Sequence, residues 1–156
     1  MNKVKRLTLI ASILALCPAL SACSNGSRVA DIGIRDARLS PCPTSPNCVS
    51  SDDRDPEHQI APFVLEGTTV EAWTTAHSLI SALPGTEIVT ETPDYLHAEC
   101  RSAVFGFIDD LELHLRPGEG IIAIRSAARS GKYDFGVNRK RIEELRSALQ
   151  KRGVVR

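Results

Sequence analysis

The feature that most constrains the fold is a pair of alternating segments followed by a turn and a third apolar segment. In residues 95–101 and 110–115, apolar and polar side chains alternate, as in strands with one face on a core. Residues 117–120, Pro-Gly-Glu-Gly, are typical of a turn, and residues 121–127 have the composition of a further strand. Together these segments predict an antiparallel sheet.

The alternation also assigns side chains to the two faces of that sheet. The apolar face is predicted to carry Leu96, Ala98, Cys100, Leu111, Leu113 and Leu115. The opposite face is predicted to be polar and solvated, and to carry Tyr95, His97, Glu99, Arg101, Asp110, Glu112 and His114.

Two helices complete the predicted fold. Thr68 and Glu71 match a capping box, and apolar residues recur at helical spacing until Pro84-Gly85. A second helix is predicted after residues 134–136, with Asn138 as its N-cap. Short strands are predicted at residues 60–65 and 87–91. We therefore expect a single α+β domain, with an antiparallel sheet of about four to five strands covered by two helices.

The N-terminus resembles a bacterial lipoprotein signal peptide. A short basic leader precedes an apolar run from Leu7 to Leu20, and Ser21, Ala22 and Cys23 follow, as in a lipobox. The resemblance implies that residues 1–22 are removed, that Cys23 is acylated, and that residues 23–40 form a lipidated tether before a domain at 41–156. An ordinary secretory signal and a membrane-anchoring helix are the alternatives.

These features predict attachment to the bacterial cell envelope on the side that faces the periplasm. Ser24 follows the cysteine, whereas a signal for retention in the inner membrane typically has Asp there, so the outer membrane is favoured. The partners expected at this location are the membrane itself, through Cys23, and another envelope protein.

The charge balance argues against nucleic-acid binding. The chain has 19 Lys and Arg residues and 19 Asp and Glu residues. Removal of the leader takes three basic residues, so 16 basic and 19 acidic residues remain, a net charge of −3. A general nucleic-acid binder needs a basic surface that displaces counterions.

Cysteine usage fits an exported protein. Cys42 and Cys48 lie in residues 41–48, a segment with three prolines, and a disulfide between them is the favoured interpretation in an oxidising compartment. Free thiols and a metal site are the alternatives, but this spacing is unusual for zinc. Cys100 lies in the alternating strand and is predicted to be a buried, inert thiol.

Four motifs in this order resemble the domain of unknown function 1499 family. The motifs are Pro46-Asn47-Cys48-Val49-Ser50-Ser51, Phe107-Ile108-Asp109-Asp110-Leu111-Glu112, Arg125-Ser126-Ala127-Ala128-Arg129 and Asp134-Phe135-Gly136-Val137-Asn138-Arg139-Lys140-Arg141. The resemblance covers about residues 42–149 and implies no assigned activity. Ala128 departs from the pattern, because a serine is expected there.

Basic residues in these motifs suggest two hypotheses. Three cations in the first turn of the last helix are disfavoured by its dipole, so something should offset their charge. The first hypothesis is a structural ion-pair network with Asp109, Asp110 and Asp134. The second is an anion pocket for a phosphate, a carboxylate or a lipid head group, built from Arg125, Arg129, Asn138, Arg139 and Arg141.

An enzyme is the alternative to a binding or structural module. If the polar faces of two strands meet, His97, Glu99, Asp110, Glu112 and His114 could form a metal or acid–base site. None of these spacings matches a known catalytic or metal motif. We therefore assign no catalytic residue, metal ligand or cofactor, and expect an envelope lipoprotein that binds or scaffolds.

Overall fold

The structure is a computed structural model that describes residues 31–156. The predicted signal peptide, the acylation site at Cys23 and residues 24–30 lie outside the described residues.

The described chain contains eight strands and two helices. The strands are β1 (Ile34–Arg35), β2 (Arg38–Leu39), β3 (Cys48–Ser50), β4 (Phe63–Val64), β5 (Thr86–Glu91), β6 (Tyr95–Arg101), β7 (Ile108–Arg116) and β8 (Ile121–Ala128). The helices are α1 (Thr69–Ser81) and α2 (Val137–Lys151).

Six of the strands form one antiparallel sheet. Its order is β3-β8-β7-β6-β5, with β4 also paired to β8, and β1 and β2 form a separate hairpin. The predicted α+β architecture is thus confirmed, with six strands in the sheet. The strand predicted at residues 60–65 is only Phe63–Val64, and β3 lies where a loop is predicted.

Both helices cover the apolar face of the sheet. Ala72, Ala76 and Ile80 of α1 and Ile142, Leu145 and Leu149 of α2 are buried in one core. The predicted apolar residues of β6 and β7 lie in that core, including Cys100, which is a buried free thiol. Burial raises the pKa of this thiol, which suits an inert packing role.

Most of the predicted solvated face is in fact buried, which corrects the sequence-based expectation, whereas Glu99 is partly exposed and Arg101 is exposed. On this face Tyr95, His97, Asp110, Glu112 and His114 all have small exposed fractions. The N-terminal part of the described chain covers them: Leu39 packs with Tyr95 and Ala123. Residues 33–40, which the sequence predicts as part of a tether, therefore pack on the domain.

The two helix starts differ in how well the sequence predicts them. Thr68 is the N-cap of α1, and its hydroxyl accepts a hydrogen bond from the Glu71 amide at 3.2 Å, as predicted. Asn138, however, lies within the first turn of α2, and Gly136 is the N-cap. The Asp134 carboxylate accepts from the Gly136 and Asn138 amides, at 3.0 and 2.9 Å, and so satisfies two backbone donors at the start of the helix.

Candidate functional site

A polar cluster lies on the covered face of the sheet, under the N-terminal segment. Antiparallel pairing places Glu112 opposite both His97 and Arg125, and Asp110 opposite Glu99. Because side chains at paired positions point to the same face, the cluster is a direct result of strand register. Its members are Tyr95, His97, Glu99, Asp110, Glu112, Arg125 and Arg129.

One half of the cluster is centred on the carboxylate of Glu112, a residue that is 0% exposed. Arg125 Nη1 donates to Glu112 Oε2 at 2.6 Å, and the Tyr95 hydroxyl donates to Oε1 at 2.8 Å. The Gly33 amide also donates to Oε1, at 2.6 Å, and so ties the N-terminal segment to the sheet. Burial, followed by the charge of Glu112, raises the pKa of Tyr95, so the hydroxyl stays protonated and donating.

The other half is centred on Asp110, which accepts from two basic side chains. Arg129 Nε and Nη2 donate to the carboxylate at 2.7–3.2 Å, and His97 Nε2 lies 2.7 Å from Oδ1. Burial acts to raise the pKa of Asp110, but the hydrogen bonds from His97 and Arg129 outweigh it and hold this pKa below its usual value. Arg129 also donates to Glu99 at 2.5 Å, and its hydrogen bond to Asp110 is the main cause that raises its own pKa.

Arg125 keeps unused hydrogen-bonding capacity. Arg125 is 1% exposed. Within residues 31–156, its guanidinium makes one hydrogen bond, from Nη1 to Glu112. Its Nε is the one buried side-chain nitrogen or oxygen in the described chain that has no partner. A buried donor without a partner is costly and calls for an explanation, such as a ligand or an ordered water.

A cavity of about 600 Å³ lies beside these arginines. This volume is in the range of small-molecule sites. The Cys42–Cys48 disulfide loop lines this cavity together with Arg125 and Arg129. The lining residues are Asp31, Pro41, Cys42, Pro43, Ser45, Asn47, Arg125, Ala128, Arg129 and Gly131. Ala128, the departure from the family pattern, therefore lies in the cavity wall.

The five predicted ligand-binding residues are divided between the two faces of the sheet. Asn138 and Arg141 lie on the helix-covered face, where both contact the Ser126 hydroxyl, at 2.6 and 2.9 Å. The Arg139 guanidinium donates to the carbonyls of Gln59 and Glu57. Only Arg125 and Arg129 line the large cavity, so a single pocket of all five is not formed.

Two of the three predicted counter-charges make ion pairs. Asp109 pairs with Arg141 at 2.7 Å, and Asp110 pairs with Arg129 at 2.7 Å. Asp134 makes no ion pair within residues 31–156, because its carboxylate instead caps α2. This corrects its predicted role.

The residues of the enzyme hypothesis lie on one face but not around an opening. Two cavities, one beside Arg125 and a smaller one beside Cys100, are lined by other residues and not by His97, Glu99, Asp110, Glu112 or His114. His114 accepts a hydrogen bond from Arg116 Nε at 3.2 Å. In residues 31–156 no group of three or more His, Cys, Asp or Glu side chains is arranged to hold a metal.

Sequence reasoning missed Asn47 and the pairing of Arg125 with Glu112. Asn47 is buried in the cavity wall and donates to the Gly131 carbonyl at 2.8 Å. The pairing of Arg125 with Glu112 could have been predicted from the turn at residues 117–120. If residues 117–120 join the strands, Arg116 faces Ile121, and counting back places Glu112 opposite Arg125.

Neither helix of the described region has the length and apolar character needed to cross a membrane. Comparison with curated proteins and with solved structures finds no match. The model of one protein family, described as "Protein of unknown function (DUF1499)", matches residues 38–149. The match includes β3 to β8, the disulfide and both cavity arginines. The chain therefore belongs to the DUF1499 family.

Proposed function

We propose that this protein is an envelope lipoprotein whose domain binds a small anion, a carboxylate or a phosphate, in the cavity beside Arg125. The observation that carries the anion site is the buried Arg125 Nε, which has no partner and belongs to a residue that lines a cavity of about 600 Å³. A guanidinium binds carboxylates and phosphates through two parallel N–H groups, so a free edge is suited to an anion.

The surroundings of Arg125 favour an anion that carries an apolar portion. Pro41, Pro43, Ala128 and the disulfide give the cavity wall an apolar character, and the guanidinium lies within it. Glu112 neutralises the charge of Arg125 and orients it through Nη1. The site is therefore pre-organised, and binding would not need to order a flexible arginine.

Substitution of Arg125 by lysine tests the anion site without removing the buried charge. An ammonium can still pair with Glu112, but it lacks the planar edge that binds an anion with two N–H groups. We expect the Kd for succinate or inorganic phosphate to rise about tenfold or more, because a charge-assisted hydrogen bond contributes about 1.5–3 kcal/mol. Isothermal titration calorimetry on the full chain measures the change.

Arg141→Lys is the matched control, because Arg141 is part of an ion pair on the other face of the sheet. We expect this variant to bind succinate and phosphate as the parent chain does. Equal affinities for the parent and Arg125→Lys, or no binding of either anion by the parent, would contradict the proposal.

The lipid attachment is supported by the sequence Leu20-Ser21-Ala22-Cys23 and by a disulfide, which suits an oxidising compartment. We expect Cys23→Ser to release the protein from membranes after a salt wash, since each buried CH₂ of an acyl chain contributes about 0.8 kcal/mol. Fractionation and the mass of the mature N-terminus measure this, and Cys17→Ser in the leader is the control. Unchanged membrane partition of Cys23→Ser would exclude the anchor.

The enzyme alternative stays a prediction without comparable support. It would use His97 or His114 with neighbouring carboxylates, and the structure buries both imidazoles within hydrogen-bonded pairs. An acid–base residue needs access to its substrate.

A further inference from the structure

Exposed apolar side chains are concentrated in two loops of the described region. Nine large hydrophobic residues are exposed, and six of them lie in residues 102–107 and 130–137. Phe135 is 98% exposed, Val104 82% and Phe105 75%. Single exposed hydrophobic residues are normal on protein surfaces, but a cluster marks a surface that contacts another apolar phase.

The two loops lie at the same end of the sheet. The first connects β6 to β7, and the second connects β8 to α2. The Arg129 amide donates to the Ile108 carbonyl at 3.0 Å, which holds the end of the first loop beside the start of the second. Ser102 and Val137 line one small cavity of about 300 Å³. We call residues 102–107 and 130–137 the apolar loop end.

The backbone at Phe135 favours the display of its ring to the outside. Phe135 has a φ of 54°, a left-handed conformation that is costly for a bulky residue. The Asp134 carboxylate maintains the turn through its hydrogen bonds to the Gly136 and Asn138 amides. The fold thus holds an aromatic ring away from its own core, and such strain is concentrated at functional positions.

The charges around the apolar loop end are mainly positive. Arg101, Lys132 and Lys140 are exposed there, and Lys132 lies over the Tyr133 ring at 5.6 Å from its centroid. The nearby carboxylates are engaged: Asp134 caps α2, Asp109 pairs with Arg141, and Glu144 pairs with Lys140 at 3.7 Å. Arg101 and Lys132 make no ion pair within residues 31–156. Cations next to exposed aromatic rings match the phosphates and the interfacial zone of a phospholipid surface.

The described chain also begins at this end of the domain. Asp31 lines the large cavity together with Arg129 and Gly131, next to the second loop. Cys23 precedes Asp31 by eight residues, which span at most about 29 Å when extended. An anchor at Cys23 would therefore keep this end of the domain within about 29 Å of its attachment point.

From the apolar residues, the cations and the position of Asp31, we infer that the apolar loop end contacts the phospholipid surface to which the protein is attached. This inference rests on the proposed acylation of Cys23. Contact at this end would hold the large cavity at a fixed height and orientation above the lipid head groups.

Fluorescence quenching by brominated lipids tests the contact in the acylated full chain. Phe135→Trp places a reporter in the loop end, and Val70→Trp places one at an exposed apolar position near the start of α1, beyond the opposite end of β8. Trp73 stays in place, and its signal in the parent protein is subtracted. The vesicles contain phosphatidylethanolamine with phosphatidylglycerol as the minor anionic lipid.

We expect bromolipid vesicles to quench most of the added emission of Phe135→Trp and to leave that of Val70→Trp almost unchanged. Equal quenching at the two positions, or none at Phe135→Trp, would overturn the inference. A blue shift at Phe135→Trp without bromine quenching would also overturn it, and would assign the surface to a protein partner or a second copy. The mass of the acylated N-terminus, measured on the same sample, separates failure of the contact from failure of the anchor.

Discussion

Replacement of Arg125 by methionine is expected to lower the free energy of unfolding by about 3–5 kcal/mol, because it leaves Glu112 as an uncompensated buried charge. Glu112 is fully buried, and Arg125 Nη1 at 2.6 Å is its only cationic partner in the described chain. The Tyr95 hydroxyl and the Gly33 amide remain as donors, but neither carries a positive charge. Urea unfolding of the full chain, with the disulfide intact, measures the loss.

Two further variants separate the loss of charge from the loss of packing. The double variant Arg125→Met with Glu112→Gln removes both charges, and we expect it to recover a large part of the lost stability. Arg54→Met removes an exposed arginine whose side chain makes no hydrogen bond or ion pair within residues 31–156, and is expected to change stability by no more than about 0.5 kcal/mol. A single variant Arg125→Met as stable as Arg54→Met would contradict a buried ion pair.

Replacement of Asp110 by asparagine is expected to cost about 3 kcal/mol at neutral pH and progressively less in acid. The hydrogen bonds from His97 and Arg129 hold the pKa of Asp110 below its usual 3.8, despite the opposing effect of burial. A carboxyl with a lowered folded-state pKa adds stability above its unfolded pKa. That contribution is lost as the pH falls through the folded-state value.

The difference in unfolding free energy between the parent and Asp110→Asn, measured by urea unfolding, should therefore be constant near neutrality and shrink below about pH 4. Glu66→Gln is the control, since Glu66 is exposed and has no ion pair within residues 31–156. We expect its difference from the parent to stay close to zero at every pH. A difference for Asp110→Asn that does not change with pH would show that the asparagine disturbs packing rather than charge.

Strand register could be predicted from the sequence, because it depends on local patterns. The turn at residues 117–120 fixes which residues of β7 and β8 face each other, and the alternation in β6 separates its two faces. The N-cap at Thr68 was predictable for the same reason, since a cap depends on neighbours in the chain.

Burial of the polar face could not be predicted from the sequence, because the alternation shows which residues share a face and not what covers that face. The covering segment contains few apolar residues, and Leu39 is the main one that enters the core. Its other attachments are hydrogen bonds such as Gly33 to Glu112 and Leu39 to Asp52, which leave no periodic signal. A polar tether was therefore the natural interpretation of residues 23–40.

The division of the arginine cluster has a related cause. The side chains of Arg125 and Arg129 lie on the same face of the sheet as Tyr95 and Glu112. The apolar side chains of α2 pack on the opposite face. Residues of α2 such as Arg141 are therefore separated from these two arginines by the sheet. Proximity along the chain suggested one pocket, whereas the fold places the Arg141–Asp109 ion pair on one side of the sheet and the cavity with Arg125 and Arg129 on the other.

The central claim is that the free edge of Arg125 receives an anion, and the arginine side-chain Nε–H resonances test it most directly. Titration of succinate into the ¹⁵N-labelled full chain should shift the Arg125 Nε–H resonance in a saturable way. The Arg141 Nε–H resonance should remain in place, because Arg141 lies across the sheet. Assignment follows from the loss of one resonance in Arg125→Lys and another in Arg141→Lys. An Arg125 resonance that stays fixed while succinate binding saturates would contradict the claim.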